Sequence, residues 1–297
     1  MTNDTGRAPI LIVTLIGVLW GLNWPAVKFM LTEMPPLTIR AAAFPTAALL
    51  LLLICVVRGE KLWPAARDIV PIVITGSLII FGFNVMTSLG QTFTETSKAA
   101  IIAYTMPVLT AVFAAVFLRE RLEARHIMAL MLGMAGLGVL ASQDFTALLN
   151  DPTGPAIMFL SALFWALGNV ALKSRTWSLA PLPLTVWFFV VSTILCWPLV
   201  LWFEPPSQQS WPSTPVLVTL AYHAVGPMVI CYALWTVLVG RLSATVAAIA
   251  ALLAPVVGVA SAVILLGDPL TWQKVLSLSM ILASIFLSLA PRRNAAA

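Results

Sequence analysis

The side chains of this chain that can form directed bonds stand at helical intervals inside long apolar runs. Asn23, Trp24 and Lys28 follow Trp20 by one or two helical turns, so the four share one face of a helix. Trp165, Asn169 and Lys173 repeat that face, with Trp165 and Lys173 each 145 residues after Trp20 and Lys28. Asn84, Ser88 and Gln91 form a stripe on a third run, and Tyr222, His223, Tyr232, Trp235 and Thr236 decorate a fourth. Arg40 lies some four residues inside a further run, and Tyr104 stands one turn before Pro107. Amides, hydroxyls, indoles and one imidazole can hold the polar end of a small solute and stack on its apolar part. They do not make a bond-breaking constellation: the chain has no G-x-x-x-x-G-K-[ST] phosphate loop, no H-E-x-x-H, no Asp-rich pair for Mg²⁺ and no G-x-S-x-G. An ATP-driven pump is thereby excluded within this chain, and the reading predicts no enzyme, no cofactor and no metal. Cys55, Cys196 and Cys231 lie inside apolar runs without ligand spacing and read as packing residues.

The elements that must carry these groups follow from composition. With 61% hydrophobic residues, 9% charged, eleven Trp and a mean hydropathy of +1.01, the chain is far too apolar for a water-soluble globule. Stretches long enough to cross about 30 Å of hydrocarbon as helices read at roughly 9–31, 36–57, 69–92, 97–118, 126–142, 155–173, 182–203, 214–238, 244–266 and 272–290. The expected fold is all-α, an integral membrane protein of ten transmembrane helices, five per copy of a duplicated unit (1–145 and 151–297). A β-barrel would need strict alternation of apolar and polar residues, which is missing. The first stretch ends in Trp24, Pro25 and Lys28, not in a small-residue cleavage site, so it is expected to remain as a helix.

The duplication is visible directly. Residues 97–122 align with 245–270 without a gap at an offset of 148, nine of 26 positions being identical, with Pro107 over Pro255 and Glu120 over Asp268. Five crossings per copy is an odd number, so the second copy must be inverted relative to the first, the build of many secondary transporters. If the amino terminus is cytoplasmic, twelve of the sixteen Lys and Arg fall inside: Arg7, Arg58, Lys61, Arg67, Arg119, Arg121, Arg125, Lys173, Arg175, Arg241, Arg292 and Arg293. Both termini are then cytoplasmic, the expected location is the inner (cell) membrane as a multi-pass protein, and the pI near 9.5 reflects topology, not a nucleic-acid partner.

These residues resemble a known family. Trp20-Gly21-Leu22-Asn23-Trp24 with Lys28, Arg40, the run Ala99-Ala100…Pro107-Val108…Leu118-x-Glu120-x-Leu122, and a second copy ending Leu266-Gly267-Asp268-Pro269-Leu270 are similar to the EamA-type repeat of the drug/metabolite transporter (DMT) superfamily. The resemblance covers the whole chain and is closest to bacterial aromatic-amino-acid exporters of the YddG type. It implies ten helices in two inverted five-helix repeats and export of small metabolites. The Gly267-Asp268-Pro269 turn departs from the usual pattern and implies a tighter hairpin.

An Asn or Lys facing lipid costs several kcal/mol, so both Trp-Asn faces must look inward. The substrate-binding candidates are Trp20, Asn23, Trp24, Arg40, Asn84, Ser88, Gln91, Tyr104, Trp165, Asn169, His223, Tyr232 and Trp235, around a cavity walled by helices 1, 3, 4, 6, 8 and 9. The Asn side chains can equally bridge neighbouring helices, and Lys28 and Lys173 can snorkel to the interface. Arg40, the deepest cation of its half, is the expected attractor of a carboxylate. Pro107, Pro227 and Pro255 free the carbonyls of Ala103, His223 and Ala251 and mark kinks or gating hinges. Trp187 is expected to face lipid. No carboxylate lies mid-span, so facilitated diffusion or exchange fits better than an ion relay, with His223 the one mid-span group suited to a proton. The partners expected are a small-molecule substrate, an amino acid or similar metabolite, and the lipid bilayer. A channel, a facilitative permease for other metabolites or drugs, or a non-transporting scaffold are the competing readings. The runs Gly133, Gly136, Gly138 and Ala283, Ser284 allow close packing within a chain or in a homo-oligomer.

Overall fold

Apolar runs of about twenty residues, punctuated by Pro and short polar turns, leave the backbone no option in hydrocarbon but helices that satisfy their own hydrogen bonds. The computed structural model describes residues 7–94, 99, 102–142, 152–266 and 270–289, and all secondary structure among them is helical. Ten spans follow one another: α1 Arg7–Met30, α2 Pro36–Val57, α3 Ala66–Phe93, α4 Met106–Phe117, α5 Ala124–Ala141, α6 Thr153–Lys173, α7 Pro181–Phe203, α8 Thr214–Arg241, α9 (Ala244–Ala250 and Leu253–Leu266) and α10 Trp272–Leu289. Eight are long and apolar enough to cross a membrane, and α4 and the broken α9 are shorter. Glu95, Arg292, Arg293, the Gly267-Asp268-Pro269 turn and part of the 97–101 segment lie outside the described residues.

Pairing follows the duplication. Helix α1 packs on α9 and α8, and α6 packs on α4 and α3, the same two contacts made by the matched elements of the other copy. Helices α2 and α7 pair with each other, as do α5 and α10. That pattern is a two-fold relation between inverted five-helix units. In α2 the buried side, Leu37, Arg40, Phe44, Ala47, Leu51 and Cys55, recurs every three or four residues, while Leu49, Leu53 and Val57 are exposed to lipid. The small residues of α5 and α10 are used within the chain: a side chain at Gly136 would meet Ile281 at 3.1 Å, and Ser284 Oγ donates to Ala129 O at 2.6 Å.

Helix starts with Pro or Ala at the N-cap have no side-chain oxygen for their free amides, and distant residues supply it. Glu204 accepts from the amides of Leu37 (3.1 Å) and Thr38 (2.7 Å) at α2. Ser178 Oγ accepts from Ala65 N at α3; at α9, where the N-cap Ser243 Oγ already accepts from Val246 N, Glu120 takes the Ala244 amide as well. Glu33 takes the Ser213 amide (2.6 Å) and hydroxyl (2.7 Å), bonds that hold its carboxyl below the usual carboxylate range. These ties define two ends. One, the basic face, gathers the 58–65, 118–123 and 174–180 turns and an ion pair of buried Asp68 with Arg175 at 2.8 Å. The opposite face gathers the turns after α1 and α7. Trp187 is not a lipid-facing residue: its Nε1 donates to Leu62 O at 2.7 Å and its ring lies against Trp63.

Two of the long helices contain π turns at matched places, Ser77–Gly82 in α3 and Ala224–Cys231 in α8. Pro227 lies within the second, and its missing amide fits a widened turn. Pro107 and Pro255 sit just inside the restarted helices after matched breaks at Tyr104–Thr105 and Ala251–Leu252, so both mark helix breaks and not smooth kinks.

Candidate functional site

The breaks and π turns surround a central cavity of about 40 Å³, room for a few waters and far below the roughly 300–1,000 Å³ of an occupied small-molecule site. It is lined by Trp20, Asn23, Trp24 and Val27 of α1, Phe83, Thr87 and Gln91 of α3, Tyr104 and Met106 at the α4 break, Trp165 of α6, and Ala251 and Ala254 of α9. Of the residues expected from sequence, Trp20, Asn23, Trp24, Gln91, Tyr104 and Trp165 therefore converge on one space. Phe83, Thr87 and Gln91 recur every fourth residue, so the polar stripe of α3 has two edges: Thr87 and Gln91 face the cavity, Asn84 and Ser88 the seam with α2. That spacing was present in the sequence and marked Thr87, which sequence reasoning missed.

Two wall groups lack partners. Gln91 is wholly buried, and neither its Nε2 nor its Oε1 finds a hydrogen bond among the described residues. Trp165 is 1% exposed and its Nε1 is likewise unpaired. Buried polar atoms are almost always bonded, because leaving one unbonded costs about 1–3 kcal/mol. Three such atoms belong to residues that line the cavity and are free to bond a ligand or water there. Beside them Tyr104 Oη accepts from Trp24 Nε1 at 2.7 Å.

The remaining candidates stand behind the wall. Arg40 does not line the cavity; it is held in the α2–α3–α8 seam, its Nε donating to Ser88 Oγ (2.8 Å) and Asn84 O (3.1 Å) and its Nη1 to His223 Nε2 (2.6 Å). No carboxylate pairs with it among the described residues. Because a guanidinium only donates, His223 must accept at Nε2 and carry its proton on Nδ1, which donates to Asn23 Oδ1 at 2.6 Å. The imidazole is thus fixed as a neutral bridge between a buried cation and the cavity wall. Asn84 Nδ2 donates to Tyr232 Oη at 2.6 Å and to Ile80 O. Asn169 joins Trp235 Nε1 (2.7 Å) to the Trp165 carbonyl (2.8 Å).

Toward the basic face the cavity ends on a plug of rings. Trp20, Trp165 and Trp235 meet pairwise with centroids 5.2–5.4 Å apart, and Tyr232 joins Trp20 at 5.6 Å. Beyond the plug a wider recess of about 490 Å³ opens beside Lys173, Arg175, Trp177, Thr236 and Val239.

The sequence profile described as the EamA-like transporter family matches residues 7–142 and again 152–290. An uncharacterized transporter of Bacillus subtilis, YvbV, is 28% identical over 95% of this chain and 91% of its own. A protein of Salmonella typhimurium described as a probable amino-acid metabolite efflux pump is 26% identical over 93% of each chain, and a counterpart in Escherichia coli is 25% identical. A solved crystal structure superposes with a TM-score of 0.81 at 19% identity, covering 96% of this chain and 97% of that one, which supports the fold.

Proposed function

Since the chain belongs to the EamA-like transporter family, a multi-pass membrane transporter of the DMT superfamily, we propose that it exports amino acids, with preference for hydrophobic or aromatic side chains. The carrying observation is the trio of polar atoms on Gln91 and Trp165 that find no partner among the described residues, in a cavity whose other polar side chains, Asn23, Thr87 and Tyr104, are already hydrogen-bonded. The Gln91 amide, offering both donor and acceptor, suits the carboxylate and ammonium of a zwitterion, which must exchange water for hydrogen bonds on entry. The Trp165 N–H is a further donor two helical turns away, where α6 meets Phe83. Trp20, Trp24, Phe83 and Tyr104 suit a ring. The names of the Salmonella and Escherichia relatives favour the same cargo class.

Alternating access fits a cavity of this size between inverted repeats, and the ring plug disfavours a continuous polar channel. The basic face carries Arg58, Lys61, Arg119, Arg121 and Arg175 and is read as cytoplasmic in the inner membrane. With no carboxylate on the cavity wall among the described residues and His223 engaged by Arg40, transport runs down the cargo gradient or by exchange. The test is reconstitution into liposomes with a panel of labelled amino acids. Trp165→Ala and Tyr104→Ala should weaken aromatic uptake by roughly 2- to 10-fold and spare small amino acids, while Trp202→Ala at the lipid surface should change neither. Full transport by the first two variants and loss in the third would overturn the assignment.

A further inference from the structure

Lys28 and Lys173 do not extend to the interface as free cations. Lys28 Nζ donates to the Gln91 carbonyl at 2.6 Å and to the Thr94 carbonyl at 3.3 Å, tying the end of α1 to the end of α3. Lys173 Nζ donates to the Val239 carbonyl at 2.9 Å, tying the end of α6 to the end of α8. Lys173 follows Lys28 by 145 residues and Val239 follows Gln91 by 148, the same two offsets that relate the copies. The two ties are therefore one device present twice, and inversion puts them at opposite ends.

Each guards its own mouth. Gln91 and Val27 line the central cavity on the side of the opposite face, with Lys28 adjoining both, and Lys173 and Val239 line the recess on the basic face. Separation of α1 from α3 at the opposite face would break the Lys28 bonds, and separation of α6 from α8 at the basic face would break the Lys173 bond. Carbonyls at a helix carboxyl end are good acceptors for a cation, and a charged donor strengthens the bond. Both ties are made in this structure, and the cavity between them is narrow.

We infer that Lys28 and Lys173 are a symmetry-related pair of gate latches, each holding one end of the transport path shut and each released when cargo moves through its own end. The inference rests on the alternating-access reading above. It is tested in a chain whose Cys55, Cys196 and Cys231 are replaced by Ala and whose cavity residue Met106 is changed to Cys. A membrane-impermeant methanethiosulfonate is applied from one face at a time, in right-side-out and inside-out vesicles. Lys28→Met should speed labelling from the opposite face about tenfold or more, the scale of one charged hydrogen bond, without speeding it from the basic face. Lys173→Met should do the reverse, and Lys28→Arg, which keeps the donors, should return labelling to the parent rate. Parent rates from both faces in both Met variants, with transport by the parent intact, would overturn the latch and leave the transporter standing. Acceleration from both faces by either single variant would also overturn it, as a sign of general loosening. A Met106→Cys protein that transports nothing and is labelled from neither face in any variant would overturn both readings.

Discussion

Replacing Gln91 by Leu should make the empty protein more stable and a worse transporter. Gln91 is fully buried, and neither amide atom has a partner among the described residues, a state that costs about 1–3 kcal/mol. Leu is close in volume and at least as good a helix former, so the substitution removes the penalty without opening a void. The thermal midpoint of the purified, cargo-free protein should rise by roughly 2–6 °C at about 2 °C per kcal/mol for a chain of this length. The same change removes the donor and acceptor offered to the cargo, so the KM for uptake into liposomes should rise about 10- to 150-fold, taking about 1.5–3 kcal/mol for bonds to a charged group. Added cargo should raise the midpoint of the parent and not that of the variant. Opposite signs in stability and transport are expected of a group held in strain for a ligand and not of a packing residue. A lowered midpoint with unchanged KM would show that the amide is bonded within the protein and that the cavity is not the cargo site.

Single cysteines at Lys61 and Arg121 in a Cys-free background should react with an impermeant reagent only after cells are permeabilised, and one at Gln208 should react from outside; external labelling at 121 would reverse the topology. Among glycines, Gly21→Ala should lower the thermal midpoint, because a Cβ there would sit 2.7 Å from the backbone oxygen of Ala254. Gly138→Ala, with nothing within 4 Å, should leave the midpoint unchanged or raise it by up to about 1 kcal/mol in equivalent stability.

The fold was legible because hydrocarbon permits so few answers: runs of about twenty apolar residues can only be helices, and an odd number per copy can only be inverted. Cavity residues on smooth helices, Trp20, Trp24 and Trp165, were legible for the same reason, since helical spacing fixes their face. What spacing alone could not reveal was which polar groups the protein would use on itself. Arg40 looked like the carboxylate attractor, yet His223, Ser88 and the Asn84 carbonyl surround it, and those contacts join three helices far apart in sequence. The π turn of α3 has no proline within it to announce it, and it lies just ahead of Asn84, which bonds α8, and of the Gln91 edge that lines the cavity. Lys28 and Lys173 read as interfacial lysines because their acceptors are backbone carbonyls, which carry no sequence signature.

Asn84 and Tyr232 hold the same place in the two copies, 148 residues apart, and they touch each other. In an assembly of two separate identical chains, a position on the symmetry axis meets its own twin, and the residue there must be complementary to itself. One continuous polypeptide is free of that demand, and here the twins are an amide donor and a phenolic acceptor. The freedom extends to the cavity wall: the counterparts of Gln91 and Tyr104 are Val239 and Leu252, so one copy presents polar groups where the other presents hydrocarbon. A near-symmetric scaffold thus carries a vectorial lining. A solute with one polar and one greasy end fits it in a single orientation, so each end of the path meets a different end of the passenger.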